Sequence, residues 1–136
     1  MYKRQGTGVL IAPTGSAKIN TTVIGSGADG NVIGIRSFPG ASAVSNVTIS
    51  DTSTSNNAGG IHASGNSVVS IIRGAIGGNS SYGVGAVSPA AVRIGSSVVS
   101  GNTLGFSGPI SSYGNNQLHG NTNPGSSTPL PPGGVP

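Results

Sequence analysis

One pairing recurs along this chain. A glycine followed by an apolar residue stands at Gly8-Val9, Gly34-Ile35, Gly60-Ile61, Gly83-Val84 and Gly105-Phe106, at intervals of 26, 26, 23 and 22 residues. An asparagine precedes each glycine after the first by three or four residues, at Asn31, Asn57, Asn79 and Asn102, and Asn121 continues that column. Proline follows most of the glycines by four to six residues (Pro13, Pro39, Pro89 and Pro109). Between these markers lie short apolar alternations: Ala17-Lys18-Ile19, Val47-Thr48-Ile49, Val69-Ser70-Ile71 and Val92-Arg93-Ile94. Three markers in one register define a repeat protein, in which each unit buries its apolar face only against its neighbours.

The period selects the kind of repeat. No segment carries a 3.6-residue apolar pattern over the ten or more positions that a helix needs, and glycine interrupts nearly every window. Leucine occurs only at Leu10, Leu104, Leu118 and Leu130, which excludes a leucine-rich repeat. Gly 25 and Pro 9 together make a quarter of the 136 residues, a proportion shared with low-complexity sequence. A disordered linker, however, has no reason to hold a common period. The remaining solution is all-β: a parallel β-helix of about five coils, each coil holding three short strands and three bends. Stacked coils lie about 4.8 Å apart, so any residue type repeated once per coil forms a ladder. Val9, Ile35, Ile61, Val84 and Phe106 are expected to form one inward ladder, and Ile19, Ile49, Ile71 and Ile94 another. Asn31, Asn57, Asn79, Asn102 and Asn121 read as a polar ladder at a bend, each amide bonding its neighbour or the adjacent backbone. Residues 1–123 form the solenoid. Residues 124–136, rich in Pro and Gly, read as a disordered tail that adds no further coil.

Composition excludes most chemistry. There is no Cys, hence no disulfide, thiolate metal site or cysteine nucleophile. Asp29 and Asp51 are the only acidic residues. They fall in different columns, Asp29 in a bend and Asp51 on a strand, so neither a glycosidase pair nor an acidic metal cluster is expected. Gly25-Ser26-Gly27-Ala28-Asp29-Gly30 matches a dinucleotide fingerprint, but Gly30, Gly34, Pro39 and Gly40 forbid the helix that such a site requires. It reads as a turn insertion, and one copy of Gly27-x-Asp29 makes no calcium site. No cofactor is expected. The net charge of +4 reflects scarce acids, with Lys18, Arg36, Arg73 and Arg93 spread singly, which argues against nucleic acid. No apolar run approaches a membrane span. Lys3-Arg4 and the short Gly8-to-Ile11 stretch do not make a signal peptide. An ice-binding face would need a sustained threonine column, and Thr21, Thr22, Thr48, Thr52 and Thr54 are read as sharing none.

Two side-chain pairs stand out on the outer face. Asp51 and Arg73 lie two residues after Ile49 and Ile71 and are expected to pair across coils. Arg36 and His62 each follow the Gly-apolar pair by one position beyond it, which places them side by side as the candidate surface contact.

The stretch from Val92-Arg93-Ile94-Gly95 through Ser100-Gly101-Asn102 and Gly105-Phe106 to Ser112-Tyr113-Gly114-Asn115-Asn116 and His119-Gly120-Asn121 carries a resemblance. It resembles the last coils of bacterial right-handed parallel β-helix repeat proteins of the pectin-lyase-like superfamily, over roughly residues 6–123. That resemblance implies a secreted or surface location. Its members include repeat proteins without assigned activity, polysaccharide lyases, hydrolases and tailspikes. The expected role is a non-enzymatic structural or carbohydrate-contacting solenoid, or a fragment of one. The alternative is a remnant of a carbohydrate-active enzyme whose active residues are absent. The first coil begins close to Met1, with Tyr2 available to fold over a little of its interior. Self-association through this uncapped end is therefore expected as a second kind of partnering, beside polysaccharide.

Overall fold

The computed structural model describes residues 5–130. Tyr2 and the Lys3-Arg4 pair lie outside the described residues, as do residues 131–136. The chain winds through five coils of three strands each. These are β1 (Gln5–Ile11), β2 (Lys18–Ile24) and β3 (Gly27–Asp29); β4 (Asn31–Ser37), β5 (Val44–Ser50) and β6 (Ser53–Ser55); β7 (Gly59–Ala63), β8 (Ser67–Ile72) and β9 (Ala75–Gly77); β10 (Tyr82–Ala86), β11 (Ala91–Gly95) and β12 (Val98–Ser100); and β13 (Leu104–Ser107), β14 (Ile110–Ser112) and β15 (Gln117–His119). A further short strand, β16 (Thr128–Pro129), follows. The strands stack into three parallel sheets ordered β1-β4-β7-β10-β13, β2-β5-β8-β11-β14-β16 and β3-β6-β9-β12-β15. The molecule is a parallel β-solenoid, and no helix occurs among the described residues.

The first and third sheets each contribute one main apolar ladder to the interior, and the second contributes two, with Val47, Val69, Val92 and Ile110 stacked beside the ladder of Ile49. In the first, Val9, Ile35, Ile61, Val84 and Phe106 are register partners, and the last four are buried. In the second, Ile49, Ile71 and Ile94 stack as expected, but Val23 heads the ladder and not Ile19. Ile19 lies four residues earlier on β2, opposite Ser45. β2 is seven residues long and carries both positions on its inward face, so only pairing with β5 decides which one continues the ladder. The third ladder, Ala28, Thr54, Ile76, Val99 and Leu118, sits on strands of three residues with one inward side chain each.

The same pairing corrects three further expectations. Gly27–Asp29 is the third strand of the first coil and not a turn insertion, so Asp29 lies on a strand. Asp51 stands at a corner with φ of 51°, in line with Arg73 at 52° and Ser96 at 49°. The polypeptide also follows the solenoid past residue 123. Gly105 and Phe106 donate to the carbonyls of Asn123 and Pro124, and β16 pairs in parallel with β14. Residues 124–130 thus begin a partial sixth turn. Proline is tolerated there because β16 lies at the sheet edge.

Between the apolar ladders the buried corners are polar and internally bonded. Ser37 Oγ meets Ser45 Oγ at 3.0 Å and Ser67 Oγ at 2.9 Å between the first and second sheets. Between the second and third, Ser97 Oγ accepts from the Gly74 N–H at 3.0 Å, and Asn116 Oδ1 accepts from the Ser97 N–H at 3.0 Å. Thr54 is the exception: its Oγ1 is buried without a partner in the third ladder.

The glycine of each Gly-apolar pair is explained by this interior. A Cβ on Gly34 would lie 2.7 Å from the Gly60 carbonyl oxygen and 3.0 Å from Asn57 Nδ2; one on Gly83 would lie 2.9 Å from Asn102 Nδ2 and 3.0 Å from the Gly105 carbonyl oxygen. Glycine and the following apolar residue both turn inward, and only the residue without a side chain leaves room for the asparagine of the next coil.

Two substitutions test this packing by thermal unfolding. Gly60→Ala should destabilise by about 1–3 kcal/mol, because the added methyl meets backbone and not a yielding side chain. Thr54→Val keeps the shape and removes the orphan hydroxyl, and should raise stability by about 1 kcal/mol, a Tm gain of a few degrees.

Candidate functional site: the outer face of the first sheet

The asparagine column lies at the corner leading into the first sheet. Asn57 Oδ1 accepts from the Asn31 N–H at 2.8 Å, and Asn79 Oδ1 accepts from both the N–H and Nδ2 of Asn57 at 3.1 and 3.2 Å. Asn102 Oδ1 does the same for Asn79 at 3.0 and 2.9 Å, and Asn121 Oδ1 for Asn102 at 3.0 Å each. The Nδ2 groups also reach back to the preceding coil, Asn57 to the Ala28 carbonyl at 2.8 Å and Asn121 to the Val99 carbonyl at 2.8 Å. Asn31, Asn57, Asn79 and Asn102 are buried. Their amides are engaged within the solenoid, so the column holds the fold and is no ligand row.

Arg36 and His62 are Cα partners on β4 and β7, facing outward in one column with Leu10 below and Gly85 above. Two aromatic residues join them that the sequence reading did not single out. The Arg36 guanidinium carbon lies 4.6 Å from the centre of the Phe38 ring, a cation–π contact. Tyr82 Oη lies 3.0 Å from His62 Nδ1, with the rings 5.8 Å apart and tilted by 51°. Tyr82 reaches its place because Gly59 and Gly85 lack side chains: a Cβ on Gly85 would come within 2.8 Å of the Tyr82 ring, and one on Gly59 would fall on it. Aromatic cover of strand glycine is a recognised way to complete a sheet surface. Phe38 was legible in principle, since two residues after outward Arg36 the alternation points outward again. Tyr82 was not, because its position depends on a glycine one coil away.

The charge on this face is uniformly positive. Among the described residues the buried Nε of Arg36 has no hydrogen-bond partner. The carboxylates are held elsewhere. Asp29 Oδ1 accepts from the Ser55 N–H at 3.0 Å and Oγ at 2.7 Å. Asp51 forms a two-pronged pair with Arg73, at 2.7 Å to Nε and 2.9 Å to Nη2. That pair is exposed; the hydrogen bond from Arg73 holds the Asp51 carboxyl below its usual range, and Asp51 in turn raises Arg73. Burial pushes the His62 pKa below the ordinary imidazole value, with the charge of Arg36 adding to the effect. Burial raises the Tyr82 phenol, against the opposing influence of Arg36.

On the second sheet's outer face the threonine row is only two coils long. Thr22 and Thr48 are register partners, and their column runs on through Ser70, Arg93, Ser111 and Thr128. Arg93 interrupts the hydroxyl row. Among the described residues no three His, Asp or Glu side chains gather at metal-binding distance, no pocket opens, and no helix is long and apolar enough to cross a membrane. No protein-family profile, curated protein or solved structure matches this chain.

The His62 environment predicts an acid response with a definite sign. Its folded pKa lies below the unfolded one, so as pH falls through about 6.5 the unfolded chain takes up the proton first and stability declines. The decline levels off below the folded value. Thermal unfolding followed from about pH 8 to about pH 5 should show this loss in the native chain, and a flatter profile in His62→Gln.

Proposed function

We propose that this chain is a non-enzymatic β-solenoid whose first sheet presents a polysaccharide-contacting face. The observation that supports this reading is the row Phe38, Arg36, His62 and Tyr82, laid across three successive coils on one outer surface. Half-buried aromatic rings offer apolar faces for the C–H side of a sugar, while guanidinium and imidazole N–H groups offer donors for its oxygens. Glycines beside the rings keep the surface low, which suits an extended polymer lying along the solenoid. The resemblance to pectin-lyase-like repeat proteins supports the same ligand class and a secreted or surface location.

The enzyme-remnant alternative has less to draw on. Asp29 and Asp51 lie on the third sheet and at the corner following the second, away from the aromatic row, and each is already bonded to a neighbour. The solenoid's part in this reading is to hold four side chains at fixed spacing.

A glycan array probed with the full chain should reveal retained oligosaccharides. Tyr82→Ala should weaken the best of them by about three- to tenfold, as expected for about 0.5–1.5 kcal/mol of ring contact. Retention of no glycan by the native chain would overturn the reading. Incubation with polygalacturonate or alginate, with and without calcium, should give no product. Turnover abolished by Asp51→Asn would favour the enzyme remnant instead.

A further inference from the structure

We propose that Arg36 and His62 form a proton-gated oxyanion site, which binds a carboxylate, sulfate or phosphate group between two adjacent coils as His62 takes up a proton. This rests on the reading of the first sheet's outer face as a ligand surface, and adds the charge of the ligand and the condition under which it binds.

The geometry sets the basic residues Arg36 and His62 on one column, their backbones a single rung of about 4.8 Å apart. Arg36 is held by the Phe38 ring at 4.6 Å, and its buried Nε has no acceptor among the described residues. The groups that face His62 are few. Arg36 approaches from β4 and Tyr82 from β10; Leu10 and Ser107 are the uncharged residues of the same column on β1 and β13. Neither side-chain carboxylate is available to Arg36 or His62, since Asp29 bonds Ser55 and Asp51 bonds Arg73.

A proton on His62 therefore places a second positive charge beside Arg36, in a half-buried position with no counter-charge among the described residues. Burial and Arg36 both oppose that proton in the empty site. An oxyanion seated between the two residues reverses the balance, accepting from the guanidinium and from the imidazolium. Proton uptake from solvent and anion binding thus promote each other. The contact with Tyr82 survives the change. With neutral His62 accepting at Nδ1, the phenol donates; with Nδ1 protonated, the phenol oxygen accepts, and the ring keeps its place across Gly59. Nε2–H is left for the ligand.

Two sources share this chemistry, a sugar-borne carboxylate and a free inorganic ion, and the probes separate them. Binding of a galacturonate oligomer, a neutral cello-oligomer and inorganic sulfate to the full chain is measured by calorimetry at about pH 7.5 and about pH 5.5, with the His62 ring followed by NMR. The galacturonate oligomer should bind about tenfold more tightly at the lower pH, and its saturation should raise the His62 midpoint by about one unit. His62→Gln should bind it equally at both pH values, and Arg36→Gln should lose it while remaining folded by circular dichroism. The same gain with sulfate alone would support the site and assign it to free ions. Equal affinity of the native chain at both pH values, with no movement of the His62 midpoint, would overturn the gate and leave the glycan face standing. Binding of the neutral oligomer alone would overturn the anion site. Failure of all three probes at both pH values would overturn the face and the gate together.

Discussion

The asparagine column is the interaction on which the rest of this solenoid depends. A coil that turns sharply into its next strand buries backbone N–H groups where no strand partner can reach them, and an unpaired buried donor costs about 1–3 kcal/mol. Each asparagine from Asn57 onward answers that need for the coil before it, accepting from a backbone N–H and, from Asn79 onward, from the preceding side chain as well. Its own Nδ2 reaches a carbonyl of the coil behind. One residue therefore ties three coils. The glycine column follows from this, since the space an asparagine amide occupies is the space a side chain on the glycine would take. The recurrent Gly-apolar pair is the trace left in the sequence by an amide of the next coil.

What could be read without coordinates was whatever repeats once per coil and is chemically distinctive. Asparagine, glycine and the first apolar ladder meet that standard, and so does the offset that sets Arg36 beside His62. The third sheet does not. A three-residue strand with one inward residue has no alternation to detect, and its ladder changes from Ala28 to Thr54 to Ile76, with nothing in common but the inward position. The second ladder was legible except at its head, where Ile19 and Val23 share a face of β2 and only the neighbouring strand chooses between them. Thr22 and Thr48 escaped notice for the same reason, because an error of four residues in the first coil removes every alignment built on it.

The surface follows a different logic from the interior. Interior ladders are enforced coil by coil, whereas the outer columns change character freely: Leu10, Arg36, His62, Gly85 and Ser107 share one line. A cluster with four polar and aromatic members on such a background is held together by proximity and not by repetition. Phe38 fixes Arg36 from within its own coil, and Tyr82 is positioned by glycines belonging to two strands. Sequence periodicity predicts the scaffold well and these local arrangements poorly.

The unequal spacing of the coils has a consequence of its own. The connection between the first and second sheets occupies residues 12–17 and 38–43 in the first two coils, then contracts to 64–66, 87–90 and 108–109. Most of the length variation is thus exported to one edge, while the other two corners stay short because their polar ladders fix them. Insertions and deletions at that edge leave every hydrogen-bonded column in phase. The solenoid therefore carries a built-in place for evolutionary change: loops can lengthen, shorten or acquire new chemistry along a single ridge, bordering the aromatic row, at little cost to the frame beneath.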